Sequence, residues 1–184
     1  MSSGREKLCA RLDAGSLPGK LGAFWGVAGV TLLLGHAVGH LSLHVSDLFR
    51  MKLDWIHWAT LFACLVLMGY GKGYKGLHRN FSPRVVVRAL YLVNNPTVFR
   101  VLFAPLFCMG YFHATRKRMV SAYGITVMIV LLAISVHRLA QPWRGIIDAG
   151  VVFCLGWGVV SIWLYTFQLF LEKEIHVSPE TPDC

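Results

Sequence analysis

Residues 21–45 read LGAFWGVAGVTLLLGHAVGHLSLHV, a run without one Asp, Glu, Lys or Arg. A helix needs about 20 apolar residues to cross a bilayer, so this stretch reads as a transmembrane helix and decides the fold class. Further apolar runs follow at about 55–70, 97–112, 119–136 and 146–171. Over its 184 residues the chain is 55% apolar and 15% charged, with a mean hydropathy of +0.56. Ordinary soluble domains sit near 45–50% apolar and about 25% charged. A soluble globular domain, a disordered chain and a disulfide scaffold are excluded. An all-α integral membrane protein is expected.

The runs starting near 21, 119 and 146 span a bilayer once their flanks are counted. The 55–70 run is slightly short, but Trp55 and Trp58 stand at its start, as at a membrane interface. The 97–112 run is interrupted by Arg100 and Pro105. The expected organisation is a polar N-terminal segment (1–20), one transmembrane helical domain (21–171) and a polar tail (172–184). The domain is either four transmembrane helices plus an interfacial or re-entrant segment, or five transmembrane helices.

Charge helps to choose. Lys and Arg number 18 against nine acids, a net charge of +9. With four spans, 14 basic residues fall inside and four outside; with five, 12 and six. The positive-inside rule favours four spans. The N-terminus is then cytoplasmic, in a bacterial inner membrane or an equivalent organelle membrane. The basic stretch 72–88 is expected to hold anionic lipid head groups there. Nucleic acid is not an expected partner, because a soluble basic face with interleaved aromatics is missing. The five cysteines form no CxxC, so neither a zinc knuckle nor an iron–sulfur cluster is signalled.

The candidate site lies in GHAVGHLSLH (35–44), where His36, His40 and His44 recur every four residues. That spacing stacks them along one side of a helix, about 6 Å apart. Imidazoles in hydrocarbon are costly unless paired, so they mark function by default. His57 begins the second run and His137 ends the fourth. With four spans both reach the same membrane end as His44, together with Asp47, Asp54, Asp148, Arg138 and Arg144. Imidazole ligates haem iron and several transition metals. His36, His40, His44 and His57 are the candidate metal ligands, and His137 is a further cofactor contact. Gly35 and Gly39 leave room for a flat macrocycle against the backbone. Arg138 and Arg144 suit a haem propionate, an anionic lipid or a quinone head group.

GHAVGHLSLH (35–44) and NFSPRV (80–85) resemble stretches of the cytochrome b subunits of nitrate-reductase-type complexes. The likeness covers these two segments only, and residue 119 is Met where a second spaced histidine pair would be completed near the fourth run. It implies haem b and a quinone-linked role.

The leading expectation is therefore a membrane subunit of an oxidoreductase, binding haem b or another His-ligated metal near the outer face. Other membrane subunits, and a quinone, are its expected partners. One alternative is a non-catalytic accessory subunit of a respiratory or photosynthetic complex, its histidines hydrogen-bonding neighbours. The other is a small metal or proton transporter. No HxxHH, GxSxG, Walker loop or GxGxxG is present, so desaturase, hydrolase and nucleotide chemistry lack support.

Overall fold

The computed structural model describes residues 17–171; most of the polar N-terminal segment and the tail 172–184 lie outside the described residues. Every regular element within them is helical. Helix α1 (Leu17–Phe49) already takes in Leu17–Lys20, which the sequence placed in the polar segment. It is followed by α2 (Trp55–Met68), a π-helical stretch (Gly69–Phe81) and α3 (Ser82–Asn94), then by the short α4 (Val98–Leu102) and α5 (Ala104–Met109), and by α6 (Arg116–His137) and α7 (Trp143–Phe170). Among these, α1, α6 and α7 are long and apolar enough to cross a membrane.

Glycines set how closely the helices approach. An added Cβ on Gly19 would meet the Val93 carbonyl, and one on Gly22 the side chains of Leu92 and Val101. Gly26 faces Cys108, and Gly29 faces Pro105. The first third of α1 is thus sheathed by α3, running antiparallel to it, and by α4–α5, running parallel. Small residues let helix backbones pack without a hydrophobic drive between them. Further along, Gly145 of α7 lies against Leu48 of α1, while Gly150 touches Cys64 and Gly158 touches Leu77. Helix α7 therefore runs antiparallel to α1 and parallel to α2. Val30, Val85, Leu92, Ala104, Phe107 and Ile162 form the larger core, where α1, α3, α5 and α7 meet. A smaller core of Leu48, Leu61, Ile146 and Ala149 closes the other end.

The apolar run 97–112 does not form one helix. Pro105 and a kinked Phe103 (φ −99°, ψ 29°) divide it into α4 and α5, and Gly110 (φ 90°) turns the chain away. Neither piece is long enough to cross a bilayer. Arg88 of α3, only 1% exposed, stiffens the turn that follows. Its Nη2 donates to the carbonyls of Phe112 (3.2 Å) and His113 (2.9 Å), and its guanidinium lies over the Phe107 ring at 4.6 Å.

The stretch GYGKGYKGLHRNF (69–81), most of which belongs to the basic stretch 72–88, continues α2 into α3 as thirteen residues of π-helix. Such helices usually last a single turn. Here Tyr70, Tyr74 and His78 stack at 6.1 and 5.5 Å, and His78 packs on Tyr165 of α7 at 5.3 Å.

Helix α6 stands apart. Its first half is tied to the preceding turn through Thr126 and Tyr111, whose hydroxyls bond. From residue 127 to 135 every side chain is exposed, and burial returns only at Val136.

Candidate functional site

The end of α1, the start of α2, the end of α6 and the start of α7 meet at one end of the bundle. Gly145 makes this possible, since an added Cβ there would sit 2.8 Å from Leu48 Cβ and 3.3 Å from the His44 carbonyl. Close approach of the α7 start brings Arg144 onto two imidazoles. Arg144 Nη2 lies 2.8 Å from His44 Nε2 and 3.0 Å from His137 Nδ1. One turn on, Asp148 Oδ2 is 3.8 Å from Arg144 Nε and 3.7 Å from His44 Nδ1. Asp148 is 5% exposed.

Charge fixes the proton positions. A guanidinium carries only donors, so His44 Nε2 and His137 Nδ1 accept, and both rings are neutral. His44 then carries its proton on Nδ1, which is buried without a hydrogen bond and faces Asp148 across 3.7 Å.

The other predicted residues distribute around this cluster. His57 packs on Trp143 at 5.4 Å, and its Nδ1 accepts the Asp54 N–H at 3.3 Å. The His40 ring lies 5.9 Å from that of His44. Arg138 is exposed and follows the last turn of α6. His36 and His40 lie on the exposed side of α1, with nothing within 4 Å of a Cβ added to Gly35 or Gly39. The stripe splits because each four-residue step advances the helix by about 40°. His44 is turned about 80° from His36, far enough to face inward.

Every other described histidine has a hydrogen-bond partner. His113 Nε2 lies 2.6 Å from Arg100 Nη2. His78, to which the sequence assigned no role, pairs through Nδ1 with the buried Ser161 hydroxyl at 2.9 Å. Ser161 spends its own proton on the Trp157 carbonyl at 2.7 Å, so His78 is the donor. That long-range contact leaves no periodic signal in sequence. His36 and His40 alone among the described histidines hydrogen-bond to no described residue.

No three His, Cys, Asp or Glu side chains converge as a metal site among the described residues. Chemically, the cluster ties three helices through one guanidinium, and the exposed α1 face can offer two uncommitted imidazoles. Comparison of the chain with protein-family models, with characterised proteins and with solved structures gave no match.

Proposed function

We propose that this chain is a membrane subunit of a larger assembly, which a transmembrane helix of a partner subunit joins along the Gly35–His36–Gly39–His40 face of α1. The observation that carries this reading is the pair of exposed imidazoles without hydrogen bonds. In the bilayer frame adopted here, one boundary lies at Arg118, Gly110 and Arg88, which are in contact. The other lies at His44, His137 and Arg144. The rise from Arg118 to His137 is about 28 Å, close to the hydrocarbon thickness of about 30 Å. His36 then lies about 12 Å below the His44 level, where an unpaired polar ring facing lipid is expensive. Gly35 and Gly39, spaced i and i+4, admit a second helix closely enough for both imidazoles to find partners.

In this frame α1, α2 with the π-helical stretch that continues it, α6 and α7 make four crossings, and α3–α5 form an interfacial cap around the ends of α1 and α7. Lys20, Arg84 and Arg116–Arg118 fall at or beyond the capped boundary, which by the positive-inside rule makes it the cytoplasmic one and suits it to anionic lipid.

A second reading is favoured by the open space over Gly35 and Gly39. A haem b held between this chain and its partner would lie against that bare backbone, with His36 available to hold its iron. The complex would then be an oxidoreductase that passes electrons to or from a quinone. The test is purification of the native assembly in mild detergent, from wild type and from His36→Ala. Loss of the partner in His36→Ala without any haem spectrum supports the accessory reading. Loss of a reduced-minus-oxidised haem band supports the second. Retention of partner and spectrum contradicts both.

A further inference from the structure

The π-helical stretch places two cations deep in the bilayer frame. Gly73 lies against Cys154 and Trp157 of α7. Those residues stand about 15–20 Å below the Arg144 level at the helix rise, in the middle of a hydrocarbon layer about 30 Å thick. Lys72 and Lys75, to either side of Gly73 in the chain, are both exposed. A cation at that depth is costly unless something pairs with it. Lys75 does not reach for the nearer boundary. Its Nζ lies over the Tyr70 ring at 4.9 Å, and Tyr70 follows Gly69, which sits against Phe153. The ammonium is thus turned back toward the mid-plane. Lys72 has no hydrogen bond or ion pair to a described residue. Among the described residues the carboxylates are Asp47, Asp54 and Asp148. All three stand at the outer end, and Asp148 faces His44 and Arg144.

We infer that a transmembrane helix of a partner subunit seats on the Gly71–Lys72–Lys75–Gly76 face, and that its Asp or Glu pairs with Lys72 inside the bilayer. Residues five apart stack in a π turn, so Gly71 and Gly76 lie one above the other. An added Cβ on Gly71 would meet nothing within 4 Å, and one on Gly76 only the Gly71 carbonyl at 3.9 Å. This bare strip lets a second helix approach closely, with Lys72 on one side of it and Lys75 on the other. Tyr70 and Tyr74 are exposed, and their hydroxyls bond to no described residue, so they offer two further donors. Charge decides the occupant. The phosphates of an anionic lipid lie at the boundaries, beyond the reach of the Lys72 stem. A wholly apolar helix would leave the ammonium unpaired. A carboxylate on a facing helix meets Lys72 at its own depth, where a charge-assisted hydrogen bond is strong because water is excluded. The inference rests on the reading of the chain as a membrane subunit of an assembly, and it is independent of what covers His36.

The experiment is photo-cross-linking of the full chain in native membranes. The photoreactive residue replaces Leu67, an exposed position one turn before Gly71, and the cross-linked peptide is sequenced by mass spectrometry. That peptide is expected to belong to an apolar span of another protein and to contain an Asp or Glu. Its yield is expected to fall about tenfold in the double variant Lys72→Met, Lys75→Met, the scale of one charge-assisted hydrogen bond. The double variant Lys72→Arg, Lys75→Arg is expected to keep it. Changing the sequenced acid to its amide, with this chain otherwise unmutated, is expected to lower the yield equally, which separates lost pairing from misfolding. Lipid adducts alone, a cross-linked span without an acid, or a yield unchanged by the Met pair or by the amide overturns the inference. A nitroxide at position 67 tests the depth. Its collisions with oxygen are expected to exceed those with a water-soluble nickel chelate, and the reverse order overturns the inference by placing Lys72 in water. A protein adduct from position 36 and none from position 67 overturns this seat alone, whereas none from either position overturns the assembly reading with it.

Discussion

Arg144 Nη2 lies 2.8 Å from His44 Nε2, joining residues a hundred positions apart in the chain. The same nitrogen reaches His137 at 3.0 Å. One guanidinium thus ties the end of α1 to the end of α6. Arg144→Lys is expected to destabilise the folded chain almost as much as Arg144→Gln, by about 2 kcal/mol, because an ammonium on a shorter stem cannot hold both imidazoles and Asp148 at once. Thermal unfolding in detergent at pH 8 measures this, and a Lys variant equal to wild type would contradict the two-acceptor geometry.

Glycines on opposite faces of α1 are expected to differ in kind. A Cβ at Gly26 would sit 2.8 Å from Cys108 Sγ, and one at Gly29 would overlap Pro105. Alanine at either position is expected to cost about 1–3 kcal/mol in the isolated chain. Alanine at Gly35 or Gly39 meets open space. It is expected to leave the isolated chain unchanged and to weaken the assembly, as size-exclusion profiles of the two forms would report.

Arg88 is the internal strut of the cap. Replacing it with Met removes the donors to the Phe112 and His113 carbonyls and is expected to cost about 3 kcal/mol. His113 holds a left-handed backbone (φ 50°), a conformation that persists only where its surroundings impose it. Cleavage between residues 110 and 115 by a nonspecific protease should therefore accelerate in Arg88→Met, with α1 and α7 left intact.

Crossing number has a direct consequence for labelling. With α3–α5 as a cap, cysteines introduced at Asn95 and Thr115 react with a membrane-impermeant maleimide from the same side, and those at Lys52 and Leu139 from the other. Opposite sidedness of Asn95 and Thr115 would establish a crossing by residues 97–112.

How much of this was readable in the sequence depended on the signal involved. The long apolar runs announced α1, α6 and α7, because a bilayer admits few other uses for them. Pro105 flagged the broken run, although only the structure divides it at Phe103. The stretch 69–81 was hidden, since four glycines and a run of polar residues mark a loop by every local preference. Arg88 looked like one more surface cation; its burial depends on carbonyls more than twenty residues away. Convergence of His44, His57 and His137 on one end followed from topology. The outward turn of His36 and His40 did not, because four-residue spacing says which residues align and not what they face. Roles of individual imidazole nitrogens needed Arg144 in place.

The most direct measurement is photo-cross-linking in native membranes, with a photoreactive residue at position 36 or 40 of α1 and, as a lipid-facing control, at Val130 of α6. The expected result is one discrete protein adduct from positions 36 and 40, lost when Gly35 and Gly39 are replaced by Leu, and none from position 130. Lipid adducts alone at positions 36 and 40 would contradict the proposal that a partner subunit covers this face.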